Sequence, residues 1–474
     1  MTREIQQLVG GEWRSGRGKP IDSRNPARPD EIVAAGSAAT SDDVTEAVVA
    51  ARRAARGWRR TPMHERAAVL RRAGELLDER AADVGLELTL EEGKTLVEGI
   101  GEVRRAAEIL RFNAGQADRE VGEVFASPRS GERIVVVHKP VGVVGVVTPW
   151  NFPIAIPAWK IAPALIHGNT VVWKPASIVP LLAMRLAEAL HDAGLPAGVL
   201  SLIIGPGALG SQIAGAPGVN AVTFTGSTGI GTGLLELCAP LRRPVQAEMG
   251  GKNAAVVFAD ADLELAAEQI VLGAMRSTGQ KCTATSRLVV DETVAGDLRA
   301  LIAEHIDRLV VGDGTRPEVA VGPVSSGGAQ CEIRTMIHDA LGEGARIVAQ
   351  ADAPTDGYYV PPTVLEVDVQ QAIWREEVFG PVLAMTTGKG EEQILDLAND
   401  SEFGLSAAVF TRDLARTLRV MDELEVGVLH LNAESAGADP HVPFGGAKDS
   451  GIGPKEQGRA SREFFTYTTT AYLR

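Results

Sequence analysis

The fold turns on Phe224-Thr225-Gly226-Ser227-Thr228-Gly229-Ile230-Gly231. Residues 221–224 read as a strand, and the residues after the glycines read as a helix. Such a turn aims backbone N–H groups and a positive helix end at an anion. The spacing is not GxGxxG, so the octet alone also suits a plain tight strand-to-helix turn. Its surroundings favour a dinucleotide phosphate site. Upstream lie a short β run at 170–173, an amphipathic stretch at 181–190 stopped by Gly194 and Pro196, a strand at 199–204 and a helix at 208–214. Strands alternating with helices at this spacing predict a parallel sheet covered on both faces. A second alternating set runs from 253–258 through about residue 440, giving two α/β domains in series.

Farther out the signals change. Roughly the first 115 residues read as helical, with one helix over 42–58 and another opened by Thr61-Pro62 as N-cap and first-turn proline. Leu70, Ala73, Leu76, Leu77 and Val84 recur on one face of the latter. A β-branched run at 134–137 follows the turn Ser127-Pro128-Arg129-Ser130-Gly131. Residues 464–472, rich in Thr and aromatics, read as a strand in need of a partner that a second subunit could supply.

Composition narrows the function. The chain has 474 residues, 45% apolar, enough for two or three domains and a thick core. It is too apolar for disorder, and its 52 Gly and 26 Pro show no collagen period. A net charge of −14 argues against a nucleic-acid partner. The apolar run 141–147, bounded by Lys139 and Pro149, is far shorter than the ~20 residues of a membrane helix. Cys238, Cys282 and Cys331 form no CxxC, which points to free thiols in a reducing cytoplasm. The 8 histidines include no HExxH or HxxxH pair, so no metal site is expected, and no GxSxG elbow marks a serine hydrolase.

Three further segments carry chemistry. Cys282 lies in Thr278-Gly279-Gln280-Lys281-Cys282-Thr283, whose polar, glycine-containing flanks suit backbone N–H groups aimed at an oxyanion. Cys238 and Cys331, in helix-like segments, read as packing residues. A free thiol is only a few per cent ionised at neutral pH and needs a lowered pKa or a base. Glu248, in Glu248-Met249-Gly250-Gly251-Lys252-Asn253, is an acid in a glycine-rich stretch between two strand-like runs, which an exposed turn carboxylate would also explain. Asn151, in Thr148-Pro149-Trp150-Asn151-Phe152-Pro153, offers a neutral amide to a developing negative charge.

With KPAS at 174–177, EEVFGPV at 376–382 and PFGG at 443–446, these segments resemble the aldehyde dehydrogenase superfamily across essentially the whole chain. The resemblance implies an α/β fold of two Rossmann-like parallel-sheet domains plus a small β oligomerisation arm. Residues 1–117 and 141–249 would bind the dinucleotide, 250–448 would form the catalytic domain, and 118–140 with 449–474 the arm and tail. It implies Cys282 as nucleophile, Glu248 as general base, and Asn151 with the Cys282 N–H as oxyanion hole. Trp150, Lys174, Ser177, Gly226, Ser227, Gly231, Glu377 and Phe379 would hold the cofactor, and Arg276, Trp159 and Ser435 the substrate. A homodimer or homotetramer acting on a small aldehyde follows.

Members strict for NAD often carry Glu at the position of Ser177, where it would repel a 2′-phosphate. Serine therefore implies NADP with NAD also accepted, unless Ser177 merely caps the next helix. Arg276 matches an arginine that holds the distal carboxylate in succinate-semialdehyde dehydrogenases, the alternative being a solvated helix arginine. A second arginine of those enzymes is replaced by Trp159. The flanks of Cys282 and residues 431–446 look more like 2-oxoglutarate semialdehyde (2,5-dioxopentanoate) dehydrogenases. A broad-range aldehyde dehydrogenase, a coenzyme A-acylating relative and a non-catalytic binding protein are the other readings.

Overall fold

The computed structural model describes residues 2–474. An eight-stranded sheet runs in the order Gly451–Ile452, Val245–Glu248, Ala221–Thr225, Val143–Val147, Thr170–Lys174, Leu200–Leu202, Gln7–Val9, Glu12–Arg14. The strands from Val245–Glu248 to Leu200–Leu202 are parallel, and the edge pairings are antiparallel. A seven-stranded sheet runs Arg346–Gln350, Thr363–Glu366, Val382–Gly388, Thr285–Asp291, Asn253–Val257, Ser406–Phe410, Val428–Leu431, parallel except for its first strand.

Alternate residues of each strand feed different cores. In the first sheet Val144, Val146, Val171 and Trp173 enter one cluster, while Val143, Val172, Val222 and Phe224 enter another. In the second, Val256, Val289 and Val409 face one side, and Val257, Val290 and Phe410 the other. Burial on both faces is why these strands read as unbroken apolar runs. Each such side chain contributes about 1.5–3 kcal/mol, so the two sheets are stiff platforms for what their loops carry.

Several expectations need correction. Residues 3–37 are strands, not helices: Arg3–Ile5, Arg28–Ser37 and Pro20–Asn25 form a three-stranded sheet, and Gln7–Val9 with Glu12–Arg14 edges the large one. Helix begins only at Ser41–Arg60. Thr61 does not cap the following helix. It ends the preceding one, its N–H donating to the Gly57 and Trp58 carbonyls, because a residue before proline is driven to extended backbone. Pro62 takes the N-cap position of Met63–Glu79 with no side-chain bond. At the C-terminus, Phe464 and Phe465 belong to the helix Ala460–Phe465 and are buried. The strand Thr466–Leu473 finds its partner within the same chain, pairing antiparallel with Arg133–Pro140 along its whole length. Gly122–Ala126 completes that three-stranded sheet, leaving Val124 and Phe125 exposed.

The fold gathers the chemistry at the carboxyl ends of the first sheet's parallel strands, where open α/β sheets hold ligands. Val143–Val147 leads into Asn151, Ala221–Thr225 into Gly226, and Val245–Glu248 ends on the glutamate itself. The chain then crosses at once to the second sheet, which begins with Asn253–Val257. Among the described residues no helix is long and apolar enough to cross a membrane.

Candidate active site

Cys282 follows a tight turn in which Ser277, Thr278 and Gly279 all have positive φ. A Cβ on Gly279 would sit 2.1 Å from the Gly380 carbonyl, so only glycine lets the segment press against 376–382. Asn253 holds the loop from below, its Nδ2 donating to the carbonyls of Cys282 (2.8 Å) and Ala284 (2.9 Å). The thiol is pushed up to about 12, first by burial and then by the charges of Glu377 and Glu248, against the N–H groups of Cys282 and Thr283. It is a protonated thiol at neutral pH, so a base must act on it.

Asn151 Nδ2 donates to the Gln280 carbonyl at 2.9 Å, which brings the amide to the cysteine segment. The Asn151 carbonyl accepts from buried Lys94, which also pairs with Glu102 at 2.8 Å. Glu102 in turn accepts from the Ile154 and Ala155 N–H groups, fixing the start of the helix Ala155–Ile166. Glu248 is buried, not an exposed turn acid, and its Oε2 accepts from the Gly446 N–H at 3.0 Å. Burial and then the Glu456 charge raise its pKa well above the carboxylate range, opposed by the Gly446 N–H, Lys160 and Lys455. A carboxyl so shifted holds its proton more firmly than an ordinary carboxylate, which suits it to act as a base.

A cavity of about 260 Å³ is lined in part by Trp150, Ile178, Ser325 and Phe379. The Trp150 and Phe379 rings meet edge-on at 5.5 Å. Glu377 Oε1 accepts from the Gly251 N–H at 2.9 Å, and burial lifts that carboxyl to about 7. Lys174 is buried at the end of its strand, where desolvation alone lowers it to about 8, and among the described residues no acid pairs with it. The helix Thr228–Cys238 starts after Ser227 with no side-chain cap, and Gly231 lets it approach Met249, where a Cβ would lie 2.5 Å from the sulfur. Ser177 does not cap the helix Pro180–Asp192; the Glu91 carboxylate accepts from the Leu181 and Leu182 N–H groups instead.

Cys282 lines a larger cavity, about 370 Å³, walled by Phe152, Trp159 and Phe444 and by the charged groups of Arg276, Lys281 and Glu434. Arg276 is half-exposed and contacts Glu434 at 3.2 Å and Glu98 at 4.0 Å. The Trp159 ring packs on Phe444 at 5.5 Å, and its buried N–H has no protein partner. Ser435 is not brought to this cavity. It is fully buried, its hydroxyl donating to the Thr283 carbonyl at 2.7 Å and sharing a bond with Thr285 at 2.8 Å, so it braces the cysteine loop from behind. Sequence reasoning missed Lys281, Glu434, Lys94, Glu102, Lys160 and Glu456. Of these only Lys281, inside GQKC beside the cysteine, carried a local signal.

A thiol, a carboxyl whose charge it feels and an amide bonded to the thiol's own loop are a set of groups that suits addition to a carbonyl carbon. The chain belongs to the aldehyde dehydrogenase family, whose profile matches residues 13–471. It is similar to the α-ketoglutaric semialdehyde dehydrogenase of Bacillus subtilis, at 40% identity over 98% of this chain and 97% of that one. It is 41% identical to the α-ketoglutarate semialdehyde dehydrogenase of Haloferax volcanii over 100% of this chain and 99% of that one. A solved NADP-dependent enzyme of E. coli superposes with a TM-score of 0.96 at 35% identity, covering 99% of this chain and 98% of the other. The protein is an NAD(P)-dependent aldehyde dehydrogenase. The residues present fit the chemistry of such a cofactor: Lys174 is a buried cation, the helix Thr228–Cys238 starts without a side-chain cap, and the Trp150 and Phe379 rings lie 5.5 Å apart.

Proposed function

We propose that the enzyme oxidises a carboxylate-bearing semialdehyde, 2-oxoglutarate semialdehyde (2,5-dioxopentanoate), with NADP preferred and NAD accepted. The observation that carries this reading is the pair of cations, Arg276 and Lys281, in the wall of the cavity that Cys282 faces. Similarity to two α-ketoglutarate semialdehyde dehydrogenases supports it.

In this reading Glu248 takes the thiol proton as the Cys282 sulfur adds to the aldehyde carbon. Asn151 Nδ2 and the Cys282 N–H donate to the oxygen as it becomes negative. A nicotinamide, when bound, supplies the acceptor for the hydride that leaves that carbon. Cys282 then carries a thioester; Glu248, having passed the thiol proton to solvent, removes a proton from the water that attacks the thioester and returns it to the departing sulfur, releasing the carboxylic acid and the free thiol. Lys174, Ser177, Gly226, Ser227 and Gly231 would hold the adenosine and pyrophosphate, and Trp150, Glu377 and Phe379 the nicotinamide half. Trp159 supplies an apolar wall to the substrate, and Ser435 acts only through the loop it braces.

Arg276→Ala will raise KM for the acidic semialdehyde about tenfold, the loss of a charge-assisted contact discounted for half exposure, and that for a neutral aliphatic aldehyde less than about twofold. Steady-state kinetics on both substrates check this, and an equal effect on the two overturns the acidic reading. For the cofactor, Ser177→Glu will lower kcat/KM for NADP relative to NAD roughly 10²-fold, because a carboxylate beside a 2′-phosphate is a like-charge contact. The rise of reduced-nicotinamide absorbance with each dinucleotide measures it; an unchanged ratio places the 2′-phosphate elsewhere.

The same reading divides the chain into a dinucleotide-binding domain (1–117 and 141–249), a catalytic domain (250–448), and an arm with tail (118–140 and 449–474). It makes the enzyme a cytoplasmic homodimer or homotetramer. The exposed Val124 and Phe125 on an edge strand support association, and the three unpaired cysteines support a reducing compartment.

A further inference from the structure

Three acids line the cavity that Cys282 faces: Glu98, Glu102 and Glu434. Two of them are tied to the backbone. Glu98 accepts from the Ser277 N–H at 2.7 Å with one oxygen and from the Thr95 N–H at 3.1 Å with the other. Glu102 accepts from the Ile154 and Ala155 N–H groups. Neither can leave without abandoning a peptide donor.

Glu434 differs. Among the described residues its carboxylate meets only side-chain cations, Arg276 Nη1 at 3.2 Å through Oε1 and Lys281 Nζ at 3.5 Å through Oε2. Its backbone is anchored, the N–H donating to Gln269 Oε1 at 3.1 Å, while the side chain remains 20% exposed to the cavity. The residues that follow, Ala436, Gly437 and Ala438, are small and also form the wall. The Arg276 guanidinium is flanked by Glu98 at 4.0 Å and Glu434 at 3.2 Å, and Glu434 is the acid that spans Arg276 and Lys281, so a substrate carboxylate that engages both cations takes the place Glu434 holds.

We propose that Glu434 is an internal stand-in for the substrate's carboxylate. It holds Arg276 and Lys281 together in the resting enzyme and yields both cations when an acidic semialdehyde enters. Glu434 is thus a specificity-determining residue that sets the threshold for acidic substrates by competing with them. A neutral aldehyde leaves it in place. A seat that is open only part of the time weakens apparent affinity by the fraction open, so removing the competitor should tighten binding of acids alone. This inference rests on the acidic-substrate reading above.

The test compares 5-oxopentanoate with pentanal, equal in chain length and differing in charge, on the full-length enzyme and on Glu434→Gln, which keeps the size and removes the charge. The ratio of kcat/KM for acid over neutral aldehyde should rise about tenfold, and the change should fall in KM for the acid and not in kcat. Pentanal turnover reports folding, and Glu434→Ala repeats the test with no polar group left. A ratio that stays the same or falls in both variants makes Glu434 a strut for the two cations and overturns the exchange. If Arg276→Ala lowers the ratio while neither Glu434 variant raises it, the exchange alone fails. If Arg276→Ala leaves the ratio unmoved, the acidic reading of the cavity fails, and the exchange with it.

Discussion

Cys282→Ala will cut aldehyde-dependent nicotinamide reduction by at least about 10⁴-fold while leaving the dinucleotide dissociation constant within about twofold. The size of the loss follows from what the sulfur does. It forms the bond that turns a planar carbonyl carbon into one able to release hydride, and no neighbour can take its place. Glu248 and Glu377 are the acids whose charge the thiol feels, and both are buried carboxyls engaged with backbone N–H groups. The insensitivity of dinucleotide binding follows from the geometry. The groove at Trp150, Phe379 and Ile178 is separate from the cavity that Cys282 lines. Because the side chain borders a cavity and not a packed core, its truncation opens no sealed void, and the fold should hold. Fluorescence titration with dinucleotide and single-turnover absorbance on the variant measure both halves. Residual oxidation above about one per cent of the parent rate would remove Cys282 from the role of nucleophile.

The parallel strands were legible because burial on both faces leaves unbroken apolar runs such as Val143–Val147. The strands of residues 3–37 were not. Pro20–Asn25 alternates exposed and buried positions among charged residues, and three-residue strands such as Arg3–Ile5 are too short to show a period. At the site, Asn151, Glu248 and Cys282 each stand in a motif bounded by glycine or proline, where a local signal exists. Their partners do not. Lys160 and Glu456 are 296 residues apart, and Lys281 and Glu434 are 153 apart, so only the tertiary fold joins them. Ser435 shows the limit most sharply. It lies one residue from Glu434, yet its hydroxyl points into the core toward Thr283 and Thr285 while Glu434 faces the cavity. Sequence places the segment; it does not say which of two adjacent side chains turns inward.

Glu248→Gln will lower steady-state kcat by about 10²–10⁴-fold and abolish the acidic limb of its pH profile. The sign follows from the shift. A base works only when deprotonated, and burial together with the Glu456 charge raises the Glu248 pKa well above 4.5, so activity must fall as the pH drops through that raised value. The limb should therefore lie well above the range of an ordinary carboxylate. Glutamine retains a carbonyl oxygen for the Gly446 N–H, so the loop that carries Gly445 and Gly446 has no reason to move. Gly445 is already confined, since a Cβ there would lie 2.2 Å from Glu248 Oε1, and the substitution changes charge more than shape. With the base gone, hydroxide becomes the route for proton removal, and the residual rate should climb steadily with pH. The decisive outcome is where the limb goes. If it survives at the same midpoint in Glu248→Gln, the proton acceptor is a different buried acid, and Glu377, lifted to about 7 by desolvation, is the carboxyl whose titration would produce it.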